Sequence, residues 1–422
     1  MNTLPLRRTA ICLALAAFAA PALADPASER ALIERVDRLA RELEAVKAEL
    51  AAMKASDAVS AAPVAATSSV AASEPATVLT SYGEINLTVP TEQPEATQFD
   101  IQRFVLGFQH RFNAKTKLIS ELEVEHAVTS ADDAGEVAIE QAYVEREISD
   151  RFSLRGGLML MPLGFLNETH EPTTYYGVQR NFVETAIIPS TLREGGVQGV
   201  FTLGEGYTLQ TGVVTGPDLS SWDATSTDGI ESPLAAVHQE GQLAKARDPS
   251  FFGALNWRGI PGLQLGASAI GGNATHGTPG FPTASYLLWD VHARYSPGAW
   301  KLSALYAQGS FSNTAALNAP LVGNPTLFPK RFDGALVEAG YKLWQQDDLS
   351  LEPFARWEQF NTGRRYADLG AGLTPARRPT ERVTTLGASL FLSEGVVLKA
   401  DYQFFQQAND ADRLNLGLGW SF

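Results

Sequence analysis

From Thr77 onward the chain alternates apolar and polar residues in segments of about ten, separated by turn-forming links. The closing stretch DRLNLGLGWSF (Asp412 to Phe422) shows the pattern best. Leu414, Leu416, Leu418, Trp420 and Phe422 share one face, while Asn415, Gly417, Gly419 and Ser421 share the other. About sixteen such segments can be traced, near 78–89, 99–112, 115–127, 137–148, 152–163, 194–203, 206–215, 251–258, 262–271, 285–296, 299–309, 333–345, 349–360, 382–392, 395–406 and 412–422. Their links alternate short and long: Asn113-Ala114, Gly204-Glu205, Gln346-Asp347-Asp348 and Ser393-Glu394 are tight, and most links between the tight ones are far longer. A soluble sandwich gives no reason for every long link to fall at one end. A closed barrel crossing a bilayer does, and ten residues is the length a tilted strand needs to cross. The fold expected for 77–422 is therefore all-β, a 16-stranded antiparallel transmembrane barrel.

Ahead of it the pattern differs. Leu32, Val36, Leu39, Leu43, Val46, Leu50 and Met53 fall in alternating steps of four and three, a heptad seam. Glu42 with Lys47 and Glu49 with Lys54 have the flanking spacing that pairs neighbouring helices, so residues 25–54 read as a coiled coil. Residues 55–76, rich in Ala, Ser and Pro, read as a flexible linker. Residues 1–24 carry Arg7 and Arg8, an apolar run from Ala10 to Ala20, and Ala22-Leu23-Ala24, which together read as a secretory signal peptide.

Composition sharpens this picture. The only cysteine, Cys12, lies within the signal, so the exported chain needs no disulfide. Losing the two signal arginines takes the net charge from −14 to −16, and an acidic exported chain offers no basic surface for nucleic acid. The six histidines are scattered without catalytic spacing. Gly266-Ala267-Ser268 and Gly387-Ala388-Ser389 lack the second glycine of a nucleophile elbow, which argues against an enzyme. No cluster has metal-ligand spacing along the chain, and no cofactor is implied. In the strands, Leu287, Trp289, Val291 and Tyr295 are expected to face lipid, with Asp290, His292 and Arg294 turned inward. Leu398, Ala400, Tyr402 and Phe404 similarly oppose Lys399, Asp401 and Gln403.

One link stands apart. Phe165 to Leu192 is dense in aromatics and charge, stiffened by Pro172 and Pro189, and Ile187-Ile188 argue for burial against the wall. Folded into the barrel, it would narrow the lumen with Glu168, His170, Glu171, Tyr175, Tyr176, Arg180, Glu184 and the following Arg193. An external loop over the rim is the other reading. Candidate wall cations are Arg103, Arg155, Arg294, Lys342, Arg356 and Lys399; candidate wall acids are Glu121, Glu123, Glu125, Glu338, Glu352, Glu358 and Asp401.

The run GLMLMPLGFLNETHEP…YYGVQRNFVETAIIPSTLREGGV, the opening strand SYGEINL (Ser81 to Leu87) and the last aromatic resemble the phosphate-selective porin O/P type proteins over most of 77–422, most strongly over 156–197. Asn415, Gly417, Trp420 and Phe422 also resemble the assembly signal of bacterial outer-membrane barrels. The resemblance implies a trimeric porin in outer-membrane lipid, admitting small hydrophilic and often anionic solutes, with its coil in the periplasm. Whether that coil reaches peptidoglycan stays open. Phosphate selection itself does not carry over, because 165–193 contains no lysine and the candidate wall mixes both signs. The residues leave two selectivities open, a weak anion preference or none. They also leave open a plugged barrel serving as a structural anchor through its coil.

Overall fold

The computed structural model describes Arg38, Arg41, 76–130 and 134–422. The expected signal peptide and linker, and the expected coil apart from the helical, exposed Arg38 and Arg41, lie outside the described residues.

The alternating segments form β1 (Thr77–Pro90), β2 (Gln98–Asn113), β3 (Thr116–Glu125), β4 (Val137–Ser149), β5 (Phe152–Leu160), β6 (Arg193–Gly204), β7 (Tyr207–Val214), β8 (Ser250–Ile260) and β9 (Leu263–Asn273). They continue as β10 (Ser285–Tyr295), β11 (Trp300–Phe311), β12 (Arg331–Tyr341), β13 (Trp344–Gln346), β14 (Leu349–Arg365), β15 (Glu381–Ser393), β16 (Val396–Phe405) and β17 (Arg413–Ser421). Apart from β12 and β13, which both pair with β14, each pairs antiparallel with its neighbours in sequence, and β1 pairs with both β2 and β17, so the sheet closes. The three-residue β13 prolongs β12 along β14 after a break at 342–343, which leaves sixteen staves. The expected strand ending at 163 stops instead at Leu160, where Met161 turns inward under the link that follows.

The period-two pattern sorts the faces as expected. Leu106, Val144, Leu287, Val337, Leu398 and Leu416 are among the apolar side chains exposed on the outside, while Asp290, His292, Lys399, Asp401, Gln403 and Asn415 are buried within. An exposed apolar surface running around the whole sheet suits hydrocarbon, and closure leaves no strand edge unpaired there. The inner face is not polar throughout. Phe252, Ile270, Leu288, Leu305, Phe332 and Leu336 point inward and form an apolar core with Leu219, Leu234 and Val237 of the 215–249 link and Leu317 and Phe328 of the 312–330 link. On that side the barrel is filled by its own loops.

The seam depends on one small residue. Gly83 sits opposite Trp420, and a Cβ there would lie 2.3 Å from the indole and 2.7 Å from the backbone oxygen of Arg103. Only a residue without a side chain lets the indole lie across the join, with Phe104 6.0 Å away. Gly83→Val is expected to destabilise the barrel by about 1–3 kcal/mol, read as a lower denaturant midpoint in detergent with the unfolding slope unchanged.

Candidate functional site: an inner loop and its cavities

The 161–192 link leaves β5 and returns to β6, and it lies inside the barrel. Its neck is pinned by Asn167. The side-chain amide donates to the carbonyls of Met161 at 2.7 Å and Leu192 at 2.8 Å, and the side-chain oxygen accepts from the Leu192 N–H at 2.7 Å. From that neck the loop reaches inward groups of widely separated strands. Gly164 N–H donates to Asp290 of β10, and Gln210 of β7 donates to Glu168. The Tyr82 hydroxyl lies 2.5 Å from His170 Nε2 and donates to Glu140 of β4. Tyr175 donates to Glu84 of β1 at 2.7 Å and Tyr176 to Glu352 of β14 at 2.5 Å. Val178 N–H donates to Asp401 at 2.6 Å and Phe182 N–H to Glu358 at 2.6 Å. Tyr176 stacks on Phe354 and Phe182 on Phe360. Gly177, at φ +82°, makes the bend between these anchors, a conformation other residues rarely adopt.

The polar residues expected at the constriction therefore serve largely to fasten the loop. His170, Tyr175 and Tyr176 bond to wall side chains. Glu184 turns back on its own loop, accepting from the N–H groups of Phe165 and Leu166 and from the Asn181 amide. Burial raises its carboxyl above the usual value against those donors. Glu171 is half-buried, Arg180 is buried and contacts Ser190, and Arg193 is buried and pairs with Glu240 at 3.0 Å.

Several expected wall residues are covered as well. Arg103 pairs with Glu84 at 2.9 Å and Glu123 at 3.3 Å, with Glu125 at 3.8 Å. Arg356 pairs with Glu338 at 2.7 Å and donates to the Tyr176 carbonyl. Lys399 lies 3.7 Å from the centre of the Tyr175 ring with no hydrogen bond to its ammonium. Arg356 and Lys399 line none of the cavities described below, because the loop lies over them. Charges held this dry persist only as a mutually neutralising network. Glu121 is half-buried and accepts from Gln141, and Lys342 sits near the short-turn rim bonded to Gln345.

Arg155 and Arg294 do meet open space. A cavity of about 510 Å³ on the short-turn side of the loop is lined by Arg155, Arg258 and Arg294, with Gln210, Gln264 and Glu168. A neighbouring cavity of about 270 Å³ shares Arg294 and adds Lys301 and Glu338. Arg155 is paired with Glu145 and Lys301 with Glu352. Among the described residues Arg258 and Arg294 have no ion-pair partner; Arg258 bonds Gln264 and Arg294 lies over the Phe165 ring at 4.2 Å. On the long-link side, one cavity of about 300 Å³ holds Arg103, Arg180 and Gln179, and another holds Glu123, Glu125, Glu136 and Glu240 with Arg193. The cavities on the short-turn side are lined by more cations than acids, and those on the long-link side, taken together, by more acids than cations.

Asn167, Arg258 and Gln210 were not singled out by sequence. A lone asparagine in a polar loop gives no sign that it bridges the loop's ends, whereas Arg258 could have been found as an inward position of β8 in phase with Asn256. Among the described residues, the side chains placed to hold a metal are Glu121, Glu140 and His170, whose ligand atoms lie within 4.8 Å of one another. The Ser268 hydroxyl bonds Asp290, which in turn lies 2.6 Å from His292, so a carboxylate rather than an imidazole faces the hydroxyl. That order does not activate a serine.

No family model matches the chain. A protein of Aquifex aeolicus (strain VF5), described as uncharacterized, is 27% identical over 361 residues, covering 81% of this chain and 79% of that protein. Among solved structures, Salmonella typhi OmpF in complex with daunomycin superposes with a TM-score of 0.56 at 16% identity, covering 82% of this chain and 97% of that one. The outer membrane channel DcaP of Acinetobacter baumannii gives 0.51 at 14% identity, covering 82% and 97%. At these identities the likeness carries the architecture, a closed antiparallel barrel of sixteen staves.

The buried network makes a testable demand. Arg103→Met leaves Glu84 and Glu123 facing each other without their shared cation and is expected to cost about 3–5 kcal/mol. Adding Glu84→Gln should recover part of that loss, measured as the unfolding free energy of single and double variants in detergent.

Proposed function

We propose that the chain is an outer-membrane porin through which small hydrophilic solutes diffuse passively, with a weak preference for anions. The observation that carries this reading is the inner loop, fastened across the barrel with solvent cavities on both faces, and with Arg258 and Arg294 on the short-turn side making no ion pair among the described residues. An arginine whose charge is not cancelled by a carboxylate lowers the barrier to an anion and raises it for a cation. The acids on the other side offset part of that field, which keeps the preference weak and leaves phosphate selection without support. The resemblance of 156–197 to phosphate-selective porin O/P type proteins and the barrel likeness to DcaP and OmpF agree with a channel. A homotrimer, a periplasmic coil over 25–54 and contact of that coil with peptidoglycan belong to the same proposal and rest on the heptad seam.

A plugged barrel acting as a structural anchor is the second reading. It is favoured by the apolar core that the long links build inside β8 to β12.

Conductance and reversal potential of the full chain in a planar bilayer, under a potassium chloride gradient, separate the two. The expected result is an open channel with a modest anion-directed reversal potential. Arg258→Gln with Arg294→Gln should move that potential toward cations without abolishing conductance. An unmoved potential would sink the role given to these arginines, and inserted protein that carries no current would favour the anchor.

A further inference from the structure

Three side chains distant in sequence meet where the inner loop first touches the wall: Glu121 of β3, Glu140 of β4 and His170 of the loop. Glu140 is fully buried and His170 is 3% exposed. The hydrogens of this group can be assigned from its partners. His170 Nδ1 lies 3.2 Å from the Asn167 carbonyl oxygen, which only accepts, so Nδ1 carries a hydrogen and Nε2 is left to face the cluster. Tyr82 spends its single hydroxyl hydrogen on Glu140 Oε2 at 2.6 Å, and so turns lone pairs toward Nε2. Glu140 Oε1 lies 3.2 Å from Nε2 and has no other partner. The ring nitrogen, the phenol oxygen and the carboxylate oxygen turn lone pairs toward one another in a dry site. A cation at that point removes the conflict.

The donor set is that of a metal site. A histidine oriented by a backbone carbonyl through its far nitrogen, together with carboxylates, is the usual arrangement around a divalent transition metal. Bonds of about 2.0–2.2 Å at tetrahedral angles hold ligand atoms roughly 3.4 Å apart, close to the 3.2 Å between Nε2 and Glu140 Oε1. We propose that Glu121, Glu140 and His170 bind a divalent ion of the zinc class, with water completing its shell. The ion fastens the inner loop to β3 and β4 beside the Asn167 neck. Nitrogen and carboxylate oxygen together favour zinc over calcium or magnesium, which take oxygen alone.

The test uses the full chain purified in detergent and stripped with a chelator, titrated with Zn²⁺ by calorimetry and with Co²⁺ by visible absorption. One Zn²⁺ per chain is expected, with a Co²⁺ spectrum of low coordination number. Glu140→Gln and His170→Gln should weaken Zn²⁺ binding at least tenfold. Glu121→Gln should weaken it too while leaving the Tyr82, Glu140 and His170 contacts in place, so a fault in folding does not decide the result. His110→Gln, on β2 and outside the cluster, should bind as the parent does. Absence of stoichiometric Zn²⁺ in the parent chain, or binding by the Glu121 and Glu140 variants as tight as the parent's, would overturn the site.

Discussion

A sheet set in hydrocarbon has to pair every backbone N–H and C=O within itself, since no solvent is there to take them. In this chain that demand falls on the join of β1 and β17, where Tyr82 to Pro90 run against Arg413 to Ser421. Gly83 beneath Trp420 shows how close the two strands come. Once the ring is shut the faces have no freedom: a residue's parity along its strand decides whether it meets lipid or the interior. The apolar outside, the charged inside and the placing of tight turns and long links at opposite rims follow from that single closure.

Closure also creates a sheltered space, and the inner loop uses it. In water a chain of this length rich in charge would stay outside; within the barrel it finds acids and arginines already aimed at it. Glu84, Glu352, Glu358 and Asp401 take N–H and O–H donors from the loop. Arg103 and Arg356 balance the resulting negative charge. The wall charges under the loop act as fasteners while Arg294 is left open to a cavity, a division between Arg356 and Arg294 that their shared inward parity does not reveal.

That division marks what the sequence could tell. Strand positions, the order of short and long links and the inward face of β10 and β16 were legible because period-two alternation is a local property of the backbone. The inward fold of the loop was legible in outline through Ile187-Ile188 and the aromatic run. What Glu84 or Lys399 touches was not, because both contacts join residues far apart in the chain. The proximity of Glu121, Glu140 and His170 escaped for the same reason: spacing rules find ligands on one helix or hairpin, and here a third group arrives from a loop. The inward phenylalanines of β8 and β12 escaped differently, since a strand apolar on both faces shows no alternation to read.

Asn167 gives the loop one more property. Leu160 and Arg193 are directly paired across the ladder just below it, so the segment departs and returns at neighbouring backbone atoms held by one side chain. A segment tied off in this way is a cassette: residues can be added to or removed from its middle without shifting any strand's register, so the filling of the barrel can change while the cylinder around it keeps its frame.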